Sequence, residues 1–173
     1  MAKKEAKTDL WVYDLLKEAG IELEPQGCSI KEINEALKTA SKKGTGNVGF
    51  PEYVGVVKDF VLLIEDKPDI SWHEKLDNNG AISSKTRDIM EYATNGALFY
   101  ARHIIKNTKY EKIIAFGVSG NAKRHKITPI YVEDTEPYTR LEDVESFISF
   151  NEDNIEEYYR KSILHEDTSE KDL

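Results

Sequence analysis

The stretch at residues 49–69, GFPEYVGVVKDFVLLIEDKPD, decides how this chain is read. It holds two apolar runs, 52–57 and 60–65, joined by Lys58-Asp59. Short runs rich in β-branched and aromatic residues around a two-residue connection predict a β-hairpin, although Lys-Asp is not the Asn-Gly type of pair that best suits such a turn. Phe60-Val61-Leu62-Leu63-Ile64 is apolar at every position. An uninterrupted apolar strand is expected at the centre of a sheet, covered on both faces. Yet this strand runs straight into Glu65-Asp66-Lys67, and Glu52 opens its partner.

Strand geometry restricts what these charges can do. Side chains alternate, so Glu65 and Lys67 share one face and Asp66 takes the other. A turn at Lys58-Asp59 puts Val57 opposite Phe60, and counting outward puts Glu52 opposite Glu65. Like charges directly opposed on neighbouring strands destabilise a sheet unless something neutralises them. A divalent cation would do so. Glu52 and Glu65 are therefore expected to hold Mg²⁺, a hard ion that takes oxygen ligands, with Mn²⁺ able to substitute. Lys67 would stabilise or position an attacking water and a scissile phosphate, which are the parts phosphodiester hydrolysis requires. Asp66 is expected to face solvent or a salt-bridge partner. Asp59 falls in the turn.

Around the hairpin, apolar spacing predicts an N-terminal helix over 9–19, stopped by Gly20. Ser29-Ile30-Lys31-Glu32 has the form of a capping box, so a second helix is expected from Ser29, with Ile30, Ile33, Leu37 and Ala40 on one face. A glycine-punctuated loop fills 42–49, and a polar loop fills 68–83. One long helix is expected over 84–106, with small residues such as Ala93, Ala97 and Ala101 allowing close approach to a sheet. Strands are expected at 112–118 and 127–132, the second drawn toward an edge by Pro129. A C-terminal helix at about 152–164 completes one domain, 1–173, with its core at about 29–133. This order predicts an α/β fold with a mixed central sheet flanked by helices.

Composition limits the partners. The 173 residues carry 24 Lys and Arg against 32 Asp and Glu, a net charge of -8, which argues against coating nucleic acid by bulk charge. A local basic patch is not excluded by that sign. Lys42 and Lys43 form one cluster, and Lys123, Arg124 and Lys126 another, both on loops beside strands and both suited to phosphate contacts. No apolar run approaches the length that spans a bilayer, so no membrane role is expected. The N-terminus lacks the apolar segment of a secretory signal, and the single Cys28 fits a reducing cytoplasm. Ser119 in GVSG lacks a His–Asp partnership, so a hydrolase triad is rejected. His73, alone in a polar loop, carries no expected role. Tyr92 and Tyr100 are expected to pack.

Pro51-Glu52, followed by a strand and then Glu65-Asp66-Lys67, resembles the signature of the PD-(D/E)XK nuclease superfamily. With YATNGALFYARHI and IIAFGVSG, the segment from Lys31 to Val132 resembles the N-terminal nuclease domain of restriction-modification enzymes, either R-subunit-like or fused type IIG-like. The resemblance implies a restriction-endonuclease-like fold and Mg²⁺-dependent DNA cleavage. It places Glu52 and Glu65 as the acids and Lys67 as the lysine. Glu52 stands where the first acid is usually Asp. Glu35 matches a helix acid of many such nucleases and is a further candidate metal ligand. A Gln-x-x-x-Tyr motif is not met, since Asp88 stands four residues before Tyr92. Implied partners are DNA and further domains or subunits (methyltransferase, specificity or translocase) or a second copy. The alternative reading is a non-catalytic DNA- or protein-binding domain on a nuclease fold within a larger assembly.

Overall fold

The hairpin forms in the register its turn requires. Strand β2 (Tyr53–Val57) lies antiparallel to β3 (Phe60–Lys67), with Val57 opposite Phe60 and Tyr53 opposite Ile64. Lys58 accommodates the turn with a φ of +56°, a region non-glycine residues seldom enter. The computed structural model describes residues 2–41 and 50–166, so the loop at 42–49 and the last residues of the tail lie outside it.

Six strands form one sheet in sequential order. Besides the hairpin these are β1 (Glu24–Pro25), β4 (Ile113–Gly120), β5 (His125–Val132) and β6 (Thr139–Arg140). Only β3 and β4 run parallel, and the other neighbours are antiparallel. The architecture is therefore α/β with a mixed sheet, and β3 is buried from Phe60 to Asp66 as its apolar run predicts. β5, with Pro129, has only the two-residue β6 on its outer side.

Helices cover both faces. On one, α1 (Ala2–Ala19) supplies Val12 and Leu16 to Tyr53, Phe60, Leu62 and Ile64, joined by Phe147, Phe150 and Ile155 from the C-terminal segment. On the other, α2 (Lys31–Leu37) supplies Ile33 and Leu37, and α4 (Ala93–Asn107) supplies Ala97, Tyr100, Ala101 and Ile104, to Val54, Val61 and Leu63. Each such side chain contributes about 1.5–3 kcal/mol by leaving water. α4 comes closest at Gly117, where a Cβ would stand 2.6 Å from Thr94 Cα. Only a glycine admits the helix there.

Several local expectations are corrected. The long helix is broken into α3 (Thr86–Glu91) and α4 by an extended Tyr92, φ -112° and ψ 137°. In a continuous helix Met90 O would accept from Thr94 N. Instead Lys67 Nζ donates to Met90 O at 3.0 Å and Thr94 N donates to His73 O at 2.8 Å. Two tertiary bonds replace that helical bond, and the Tyr92 ring packs against Trp72 in a tilted pair, 5.4 Å between centroids. The capping box does not form: α2 begins at Lys31 with no side-chain cap. Ser29 N donates to Glu24 Oε2 at 2.6 Å, while Glu32 accepts from the amide of Lys109. Both groups find distant partners that outcompete the local motif. The N-terminal helix starts earlier than read, at Ala2, and the C-terminal one is a short α5 (Ile155–Tyr158) continuing as a π-helical turn, Tyr159–Ile163.

Candidate active site

The charges of the opening stretch gather where β2 begins and β3 ends. The β2–β3 ladder closes at Tyr53–Ile64, so Glu52 and Glu65 lie one step beyond it in the expected register. The Glu52 carbonyl accepts from Gln26 N at 3.1 Å, which continues the β1–β2 pairing by one step, and Gln26 Nε2 donates to its Oε2 at 3.4 Å. The charge of the Glu52 carboxylate reaches groups on both faces, Tyr100 on one and Asp66 on the other.

On the α4 face, Glu65 is buried at 4% exposure and stands beside Gly117 of β4. The Tyr100 hydroxyl, buried on the same face, has its pKa pushed up by burial first, then by the charges of Glu65 and Glu52. Lys67 follows on this face, half-buried, with its ammonium anchored to Met90 O. By position along the strands, Glu52, Glu65 and Lys67 all lie at the same end of the hairpin.

On the α1 face the structure corrects the reading. Asp66 does not face solvent: it is only 7% exposed. One carboxylate oxygen each from Asp9 of α1, Glu52 and Asp66 lie within 4.8 Å of one another. Burial, chiefly, then the neighbouring Asp9 carboxyl and the charges of Glu52 and Glu65, push the Asp66 pKa far above the usual carboxylate range. Tyr53 feels the same group: burial and then Asp9, Asp66 and Glu52 raise its hydroxyl to about 12. Asp9 was missed because nothing local marks it. It is one acid among several of an ordinary amphipathic helix, and only the docking of α1 brings it to β3.

The remaining candidates are dispersed. Glu35 lies on the exposed side of α2 and pairs with Lys38 at 3.3 Å. Lys123, Arg124 and Lys126 are exposed at the β4–β5 turn, whose shape is held by Asn121 Oδ1 accepting from the amides of Lys123 and Arg124 at 2.9 and 3.1 Å. Lys42 and Lys43 lie outside the described residues. Asp59 pairs with Lys112 at 3.1 Å, as a turn residue should.

His73 is not idle. It is 4% exposed, with Nδ1 at 2.8 Å from Ser119 Oγ and Nε2 at 2.7 Å from Thr128 Oγ1. Thr128 donates its proton to Asp143 Oδ1 at 2.6 Å, so it accepts from His73 Nε2–H, and Nδ1 accepts from Ser119. This chain needs a neutral ring, and burial lowers the His73 pKa to about 4. Ser119 is fully buried, so the Ser–His contact is a brace between the β3–α3 loop and the sheet rather than a nucleophile and its base.

No helix among the described residues is long and apolar enough to cross a membrane. No protein-family model matches the chain. No solved structure matches it. Over 168 residues the chain is 35% identical to a protein of Heyndrickxia coagulans named type II restriction enzyme and methyltransferase RM.BcgI. That similarity covers 96% of this chain and 26% of the other protein, so the chain spans about a quarter of the length of the curated relative it matches.

Proposed function

We propose that the chain is a Mg²⁺-dependent DNA endonuclease domain of PD-(D/E)XK type, acting in a restriction-modification system. The observation that carries the reading is that Glu52, Glu65 and Lys67 stand at one end of the hairpin, Glu65 and Lys67 on the α4 face, where the charges of both acids act on the buried Tyr100 hydroxyl. The similarity to a restriction enzyme and methyltransferase over 96% of the chain supports it.

The donors fit the cation. They are carboxylate oxygens, which suit a hard ion, and their mutual repulsion is what a bound divalent charge would offset. Glu52 and Glu65 would hold it; when bound, Mg²⁺ would polarise the phosphate and acidify a water. The chain's own part is placement. Lys67 spends one N–H on Met90 O and keeps two for a phosphate oxygen and the attacking water. Buried Glu65 is held by the β3–β4 ladder, so its carboxylate needs little reorganisation when substrate arrives.

The exposed Lys123, Arg124 and Lys126 would contact DNA phosphates, a positioning role without sequence reading. Sequence recognition then falls to further domains, and the relative's name makes a methyltransferase the first candidate. Double-strand cleavage would also call for a second copy. A DNA substrate and one free cysteine fit work in the cytoplasm.

The test is nicking of supercoiled plasmid with Mg²⁺ or Mn²⁺, against an EDTA control. Cleavage should need the cation and fall at least about 100-fold in Glu65→Gln, as loss of a group that stabilises the transition state does. Cleavage by Glu65→Gln at the parent's rate would overturn the assignment.

A further inference from the structure

We propose that Asp9, Glu52 and Asp66 form a second divalent-cation site, on the α1 face of the sheet and separate from the Glu65–Lys67 face. Glu52 is the one residue shared with the proposed catalytic set, so the site deepens that reading only through Glu52. Cation binding at Asp9 and Asp66 does not require the chain to cut DNA.

Three observations carry it. Oxygens of the three carboxylates lie within 4.8 Å of one another. Two oxygens bound to one hard cation at about 2.0–2.6 Å can be no more than about 4–5 Å apart. The 4.8 Å limit is within reach of Ca²⁺, and Mn²⁺ or Mg²⁺, with shorter bonds, would draw the oxygens closer by a fraction of an ångström. Second, Asp66 is only 7% exposed, yet among the described residues its Oδ2 accepts no hydrogen bond. Among the described residues Asp9 Oδ1 is also buried with no donor on it, its neighbour being the Asp66 carboxyl itself. Buried polar atoms are nearly always satisfied, and an exception calls for an explanation such as an ion. Third, the three acids come from three elements: mid-α1, the approach to β2 and the end of β3. Surface acids gather along one helix face at no great cost. Carboxylates brought together from distant elements around a buried Asp66, with Asp9 and Glu52 partly exposed, are costly unless neutralised.

The site has a built-in reporter. Tyr53 is buried beside the cluster, and its hydroxyl donates to the carbonyl oxygen of Asp9 at 3.2 Å. A lanthanide bound by Asp9 would lie near this ring and take excitation from it. An ion there would also tie α1 to the sheet, because Asp9 is the contribution of α1 to the ligand set.

The experiment titrates the parent and two variants with Tb³⁺ under tyrosine excitation, then displaces Tb³⁺ with Ca²⁺ or Mn²⁺. The parent should show saturable emission. Asp9→Asn should weaken binding at least tenfold, while Glu65→Gln keeps it, even though Glu65→Gln is the change that should abolish plasmid cleavage. A crystal of the parent in Mn²⁺ removes any dependence on how the variants fold. Anomalous density among Asp9, Glu52 and Asp66 supports the proposal. Density only between Glu52 and Glu65, no density at saturating Mn²⁺, or undiminished Tb³⁺ binding by a folded Asp9→Asn would each overturn it. Cleavage that fails in the parent while Tb³⁺ binds would count against the nuclease reading and leave this site standing.

Discussion

Lys67 Nζ donates to Met90 O at 3.0 Å, the carbonyl that a continuous helix would have paired with Thr94 N. The lysine of the proposed site thus occupies a break between α3 and α4. Its ammonium is oriented by backbone rather than by a carboxylate, so it is fixed without losing its charge to an ion pair. The break is in turn held open from the other side by His73 O, which accepts from Thr94 N at 2.8 Å.

Lys67→Ala should therefore separate chemistry from folding. It removes one half-buried hydrogen bond, worth about 0.5–1.5 kcal/mol, and opens no core cavity. Urea denaturation should shift by no more than that, while plasmid cleavage with Mg²⁺ should disappear. A variant that cuts at the parent's rate would exclude Lys67 from the reaction.

Glu52→Gln should give stability and cost activity. Glu52 adds charge to Glu65 on one face and to Asp9 and Asp66 on the other, and the amide keeps its shape. Since Glu52 is partly exposed, solvent screens part of this repulsion, and the gain in EDTA at neutral pH should be about 0.5–1 kcal/mol. In a domain of this size that is a rise in melting temperature of roughly 2–4 °C per kcal/mol. Calorimetry beside the nicking assay checks it. A variant that melts markedly lower and still cleaves would make Glu52 a structural residue.

Gly117→Ala should be among the most damaging single methyl additions available. The new Cβ would meet Thr94 Cα at 2.6 Å and Thr94 N at 2.7 Å, both backbone atoms that cannot swing aside. Overpacking of this kind costs about 1–3 kcal/mol or more. Because Gly117 stands beside Glu65, displacement of α4 should also cut cleavage more than the stability loss alone explains. Wild-type stability by chemical denaturation would refute the close approach.

His73 should make the protein acid-labile. Its folded pKa is depressed from 6.5 to about 4, chiefly by burial, with Lys126 and Arg140 lowering it and Asp143 opposing. The folded state then binds fewer protons than the unfolded chain. The contribution is fully present above the unfolded value and is lost as pH falls toward the folded one. Between pH 7.5 and 4.5 this amounts to about 2–3 kcal/mol, through protonation of Nδ1 against the Ser119 hydroxyl. His73→Asn should start lower at neutral pH and lose less across the same interval in urea titrations. Parallel curves for the two proteins would show that His73 does not set the acid limit.

Much of the sheet, and the α4 face of the site, could be read from residues 49–69 because strand rules are local. An apolar run with no polar interruption requires cover on both faces, and a two-residue turn sets the register. A period of two then puts Glu65 and Lys67 together and Asp66 opposite. What those rules cannot supply is the partner that meets each face. Asp66 was expected at the surface because nothing near it in the chain covers it; α1 does, and brings Asp9 with it. The 84–106 segment has good helical spacing throughout. It breaks at Tyr92 because Lys67 and His73, both from outside it, claim Met90 O and Thr94 N. His73 itself gains its role from Ser119 and Thr128 on two other strands. Local pattern by itself determined the four longer strands, the register of the hairpin and the faces taken by Glu65, Asp66 and Lys67. Only the tertiary structure decided which charges meet, which are buried and which helix yields, because those outcomes depend on hydrogen bonds and packing between segments far apart in the chain.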